Sequence, residues 1–279
     1  MEMIGFLGRG IDHERRGGPC QDRIGSRSCG NGCRVYAISD GAGSAKYAAE
    51  AAQANINAVL DYFERYDLKT FIGLDPMRRR TEILEACRAA LGRIGEFQPA
   101  EWVHLAATLL FFVWDGERWA AGHLGDGFFL VQDEAGGELL YSAPENAGKS
   151  NRTYFTVSPD AEDHLRICMG ESEQIPGRLL MASDGPCGMF RTRGGSIRAT
   201  ALELLEYVRE GAIRTAEVLA DVLDQMTVYP LDRMDDWSVL IWSRSAAFSG
   251  ESVLTEQSML AREEKKYRDE EAGAEQRHP

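Results

Sequence analysis

Four stretches of this chain join an apolar, β-forming run to an aspartate. Val35-Tyr36-Ala37-Ile38-Ser39 stops at Asp40, Trp119 to Leu124 leads into Gly125-Asp126, and Leu179-Leu180-Met181-Ala182-Ser183 stops at Asp184. In the fourth, Asp235-Asp236 stands directly before Trp237-Ser238-Val239-Leu240-Ile241-Trp242. Runs of this composition and length read as core strands. Asp40, Asp126 and Asp184 are each followed at once by glycine. One Asp-Gly pair is an ordinary turn, so the information lies in the repetition. Four carboxylates gathered at one sheet edge would repel and raise one another's pKa values. Hard divalent cations relieve that repulsion, and an aspartate-rich set in a chain with only five histidines suits Mg²⁺ or Mn²⁺ better than zinc.

The segments between these runs limit the fold class. Met3 to Arg9 is an expected first strand, and residues 10–23 are a charged, glycine-rich loop carrying His13, Arg15, Arg16 and Asp22. Ser44 is placed to cap a helix in which Ala52, Ile56, Val59, Leu60 and Phe63 recur at helical spacing. A second helix, with Leu84, Cys87, Leu91 and Ile94, follows Pro76. Residues 106–114, 119–124, 128–131 and 138–141 read as an antiparallel meander with turns at Asp115-Gly116 and Gly136-Gly137. Two further helices are marked by Leu202, Leu205 and Val208 and by Val218, Leu219, Val222, Leu223 and Met226. Antiparallel strands with paired helices argue for a layered α+β domain and against a parallel dinucleotide-binding sheet.

Two segments fall outside that core pattern. Ser142 to Glu173 is polar, with only Tyr154-Phe155-Thr156-Val157 strand-like, and reads as a long surface excursion, either a substrate-facing flap or a decorative insertion. From Ala246 the chain becomes charged, so one domain over 1–245 and a frayed or helical tail over 246–279 are expected.

Composition excludes several functions. A formal charge of −13 with no segregated basic stripe argues against nucleic acid. No run reaches the roughly 18 apolar residues of a membrane span, and Glu2, Arg9 and Asp12 interrupt any secretory leader. The six cysteines are scattered without paired knuckles, so reduced thiols in a cytoplasmic monomer are expected.

Gln21-Asp22, Ser39-Asp40-Gly41-Ala42-Gly43, Ala106-Ala107-Thr108, Gly125-Asp126-Gly127, Ser183-Asp184-Gly185 and Asp235-Asp236-Trp237-Ser238 resemble, in this order, the signature motifs of the PP2C-type (PPM) metal-dependent serine/threonine protein phosphatases. The resemblance covers about residues 5–243, and Asn151-Arg152-Thr153-Tyr154-Phe155 is similar to a segment of a bacterial branch. It implies a four-layer α-β-β-α sandwich of two antiparallel sheets flanked by helix pairs, with two Mn²⁺ or Mg²⁺ ions at one end. By the resemblance, Asp40 bridges both ions, with the Gly41 carbonyl, Asp184 and Asp235 as further ligands. Asp126 resembles the ligand of a weaker third ion, and Asp22 resembles a carboxylate holding coordinated water. Thr108 falls among the catalytic motifs, and an arginine of the N-terminal loop, Arg15, Arg16 or Arg23, is expected to bind phosphate.

The reaction implied is hydrolysis of phosphoserine and phosphothreonine in proteins by an activated water, with no covalent protein nucleophile. The chain departs from the pattern at Gln21, where many members carry glutamate, at Ala42, where eukaryotic members place a proton-donating histidine, and at Gly127-Phe128, where Ser-Arg is usual. The general acid is thereby unassigned, with His13 and a metal-bound water as the candidates. Two alternatives stand beside this reading: an inactive PP2C-like binding module, and a small-molecule phosphohydrolase of the same fold.

Overall fold

A computed structural model describes residues 3–145, 153–171, 173–227, 234–250 and 252–255. Strands β1 (Met3–Gly8), β2 (Arg23–Ser28) and β3 (Arg34–Ser39) flank a short helix α1 (Ile11–Arg15), and then come α2 (Ala48–Arg65), α3 (Leu68–Gly73) and α4 (Pro76–Leu91). A 3₁₀ turn at Pro99–Leu105 leads into β4 (Leu109–Trp114), β5 (Trp119–Leu124), β6 (Phe128–Gln132) and β7 (Glu138–Ser142). After α5 (Ala161–His164), β8 (Arg166–Gly170) and β9 (Arg178–Ala182) come α6 (Cys187–Phe190), α7 (Ala199–Arg209), α8 (Ala216–Met226), β10 (Trp237–Ser243) and β11 (Val253–Thr255).

The strands form two sheets, ordered β11-β1-β10-β9-β6-β7 and β2-β3-β4-β5-β8. Their side chains explain why the strands read as unbroken apolar runs. Along β3 and β4, Val35, Ala37, Leu109, Phe111 and Val113 pack outward against α2, α3 and α4. Tyr36, Ile38, Leu110, Phe112 and Trp114 turn inward and meet Leu179, Met181, Leu240 and Trp242 of the facing sheet. On the far side Leu180, Ala182, Val239 and Ile241 pack under α6, α7 and α8. With both faces covered, a strand shows no polar alternation. The result is the expected α-β-β-α sandwich.

Five local expectations change. The meander over 106–141 is broken, because β5 pairs with β4 and β8, whereas β6 pairs with β7 and β9 in the other sheet. Gly125-Asp126-Gly127 is therefore the crossover between sheets and no hairpin turn. Gly125 has φ +119°, and a Cβ on Gly127 would lie 2.6 Å from the Ala182 carbonyl oxygen, so the crossover needs both glycines. The loop over 10–23 contains α1, whose start is tied to the far end of the chain by Asp12 N–H donating to Met234 O.

Ser44 does not cap α2: the helix begins at Ala48 after Tyr47, with no side-chain cap. The excursion contributes β8 to a sheet edge, while Tyr154 to Val157 is not a strand. Of the tail expected from residue 246, Phe248 and Leu254 are buried and Val253–Thr255 pairs parallel to β1, adding one parallel pair to an otherwise antiparallel sheet. Asn151, Arg152 and residues 256–279 lie outside the described residues.

Candidate metal centre

Register alone brings the aspartates together. Arg23 pairs with Ser39, so Asp22, just before β2, and Asp40, just after β3, leave the sheet at the same end. Leu109 pairs with Leu124, which puts the crossover bearing Asp126 at that end too. Val239 pairs with Ala182 in the opposite sheet, setting Asp184 beside the start of β10. Carboxylate oxygens of Asp40, Asp126 and Asp184 all lie within 4.8 Å of one another. Asp235 is exposed and outside that trio, yet its charge acts on all three.

The electrostatics are those of an uncompensated cluster. Burial, then the charges of Asp22, Asp184, Asp126 and Asp235, pushes Asp40 well above the usual carboxylate range. Asp184 is pushed up by burial and then by Asp126, Asp235 and Asp22. Burial raises Asp126 to about 6. Asp22 is completely buried and raised to about 7 by burial and Asp236, against the hydroxyls of Ser183 and Ser238 and the carboxyl of Asp40. Those groups approach Asp22, yet neither of its oxygens is aligned with a hydrogen-bond donor. Desolvated carboxylates, all oxygen donors and short of partners, form a site for hard divalent cations.

The supporting groups were only partly legible. Thr108 stands behind Asp40: its hydroxyl oxygen accepts from Asp40 N–H at 3.0 Å, and its own N–H donates to Asp40 O at 2.8 Å. It holds the Asp40 backbone at both its N–H and its carbonyl. Gly41 forms an isolated bridge with Ala107, and a Cβ there would lie 2.6 Å from the Ala48 carbonyl oxygen. Arg23 Nη1 donates to the carbonyls of Cys20 and Asp22 at 2.7 Å each. Arg15 and Arg16 are exposed at the C-terminal end of α1.

The sequence reading missed Asp236 as a separate actor. Its side chain is buried; Oδ1 accepts from Gly10 N–H at 2.7 Å and Oδ2 from Gln21 N–H at 2.6 Å, and Oδ2 also lies 2.8 Å from His13 Nδ1. Its signal was the doubled aspartate before β10. The excursion also reaches the site, since Thr153 lowers the Asp126 pKa and donates to Glu145 O at 2.8 Å, while Glu145 N–H donates to Gly125 O. Arg88 of α4 fastens this segment through Thr156 O, Ser158 O and the Glu162 carboxylate.

A double β-sandwich flanked by helices, with clustered aspartates at one end of its strands, defines a metal-dependent phosphatase. The sequence pattern described as protein phosphatase 2C matches residues 9–224, and the chain belongs to that family. Among solved structures it is similar to RsbX in complex with magnesium, at 14% identity and a TM-score of 0.54, covering 86% of this chain and 94% of that one. It is also similar to the catalytic domain of the phosphatase PstP in complex with two manganese ions, at 18% identity, TM-score 0.56 and coverage of 86% and 96%. A serine/threonine phosphatase of S. agalactiae aligns at 12% identity and TM-score 0.61, covering 87% and 99%. At such identities the likeness is one of fold. No curated protein matches the sequence.

Proposed function

We propose that this protein hydrolyses phosphoserine and phosphothreonine monoesters in protein partners, using two Mn²⁺ or Mg²⁺ ions and a weaker third. The observation that carries the reading is the trio Asp40, Asp126 and Asp184 within 4.8 Å. Asp40, Asp184, Asp235 and the Gly41 carbonyl would hold the first two ions, and Asp126 the third. When bound, the cations supply an activated water and neutralise phosphoryl oxygen charge. The chain's own residues set the frame: Thr108 fixes Asp40, the hydroxyls of Ser183 and Ser238 lie near the buried Asp22 carboxyl, and Arg15, Arg16 and Arg23 are the candidates for holding the phosphate, the first two being exposed. The PstP structure with two manganese ions supports the ion count by analogy of fold.

Six free thiols fit a reducing, cytoplasmic setting. Among the described residues no helix is long and apolar enough to cross a membrane.

Ala42, standing where a proton donor is expected, favours a second reading: a domain that binds phosphoproteins without hydrolysing them. The deciding assay is hydrolysis of 4-nitrophenyl phosphate with Mn²⁺, with EDTA, and by Asp40→Ala. The phosphatase reading expects turnover that needs both Mn²⁺ and Asp40. Equal, metal-independent rates for wild type and variant would refute it. Phosphopeptides against small phosphorylated metabolites then separate protein from small-molecule substrates.

A further inference from the structure

Serine is a poor leaving group. When a phosphoserine ester breaks, the electron pair of the phosphorus–Oγ bond stays on Oγ and needs a proton, whereas 4-nitrophenolate departs without one. Ala42 offers no donor. On the described residues one imidazole is both oriented by a carboxylate and directed at the loop that follows Asp40. His13 Nδ1 lies 2.8 Å from Asp236 Oδ2, and the same carboxylate is held by the N–H groups of Gly10 and Gln21. The contact has the distance of an ion pair, but the oxygen lies off the line of a well-aligned ring N–H bond. Such bonds commonly tighten only when substrate is bound.

The other ring nitrogen lies beside the loop that follows Asp40. A methyl on Gly43 would sit 3.9 Å from His13 Nε2 and 4.0 Å from Gln21 Oε1. Nε2 therefore lies against the Asp40–Gly43 loop, three residues from the carboxylate at the heart of the cluster. The His13 side chain is 12% exposed, open enough to meet a ligand and buried enough to be held in place.

We propose that His13 is the proton donor to the leaving seryl or threonyl oxygen and that Asp236 is its positioning residue. The inference rests on the phosphatase reading above. In the step, a water oxygen bonds to phosphorus and the phosphorus–Oγ bond breaks. The donor is the imidazolium: Oγ takes its Nε2 proton and leaves the neutral ring protonated on Nδ1, the water's surplus proton passes to solvent, and solvent reprotonates Nε2, giving a free hydroxyl and phosphate. Asp236 keeps the neutral ring protonated on Nδ1 and fixes its plane. Asp236 is the charged group in contact with the ring; the ring's own helix also carries Asp12, Glu14 and Arg15, with Arg9 before it, and Cys20 and Asp22 ahead of β2 feel the same Asp236 charge.

The test compares two substrates. In His13→Gln, turnover of a phosphoserine peptide should fall by about 100-fold or more, the range of a lost general acid, while 4-nitrophenyl phosphate changes by less than about threefold. Asp236→Asn should show the same selectivity with a smaller loss. In the metal-free protein, ¹⁵N-resolved NMR should find the neutral His13 ring protonated on Nδ1, and Asp236→Asn should remove that preference.

Equal losses on both substrates, no loss on the peptide, or a neutral wild-type ring protonated on Nε2 in place of Nδ1 would overturn the inference. Should either variant melt well below the wild type, the NMR tautomer of the wild type decides. A wild type without Mn²⁺-dependent turnover of 4-nitrophenyl phosphate refutes the phosphatase reading and the inference with it. A wild type active on both substrates beside an equally active His13→Gln refutes the inference alone.

Discussion

Asp184→Asn should make the metal-free protein more stable and deprive it of its response to metal. The carboxylate oxygens of Asp40, Asp126 and Asp184 lie within 4.8 Å of one another. At an effective dielectric near 20, one ionised pair at that separation costs about 3.5 kcal/mol. Proton uptake relieves part of this, so an amide at 184 should return about 1–3 kcal/mol, or roughly 2–8 °C in Tm for a chain of this size.

The sign with pH follows from the raised carboxyl pKa values. The folded state holds protons that the unfolded chain has released, so its stability is fully present below the unfolded carboxyl value near 3.8. It is lost as pH rises through about 6 and 7, where Asp126 and Asp22 titrate. The wild-type and variant melting curves should therefore coincide near pH 4 and separate above pH 6. Adding Mn²⁺ at about 100 times its dissociation constant should raise the wild type by about 2.7 kcal/mol and the variant by much less. Thermal melts in EDTA and in Mn²⁺ across that pH range are the assay. A variant that is less stable than wild type in EDTA, or that gains as much from Mn²⁺, would refute both the repulsion argument and the assignment of Asp184.

Two further outcomes test the supporting structure. Thr108→Val leaves the buried Asp40 N–H without its acceptor and should cost about 1–3 kcal/mol in denaturant unfolding, with Thr108→Ser restoring most of it; no difference between the two would remove Thr108's positioning role. Arg88→Met frees the carbonyls of Thr156 and Ser158 and the Glu162 carboxylate and should cost about 1–2 kcal/mol. Hydrogen exchange should accelerate in 153–165 before it does so in β4, and uniform acceleration would show that the segment is not held separately by Arg88.

What the sequence made legible follows burial. Strands β3, β4, β6, β9 and β10 lie inside their sheets with both faces covered, and each was recognisable as an apolar run. Strands β2, β8 and β11 are sheet edges. Arg23-Ile24-Gly25-Ser26-Arg27-Ser28 is mostly partly exposed, so its pattern is that of a polar loop. Edge strand β7 was recoverable because Gly136-Gly137 marks the turn before it. The false meander has the same origin: strands buried on both faces carry no mark of which sheet they join, and only the cross-sheet contacts at Gly127 decide it.

The site divides along the same line. Asp40, Asp126 and Asp184 were visible because a charge at the end of an apolar run breaks the local pattern, and register then brings them to one end of the sandwich. Asp236 was hidden because its partners, Gly10 N–H, Gln21 N–H and His13, are more than 200 residues away in sequence. No local rule distinguishes a carboxylate that binds a cation from its neighbour that holds a loop. Asp235 and Asp236 differ in burial alone, one exposed and the other 2% accessible. Asp235 is open to solvent, whereas the buried Asp236 has its oxygens taken by the N–H groups of Gly10 and Gln21. Held in this way, Asp236 presents Oδ2 to the ring of His13 at 2.8 Å.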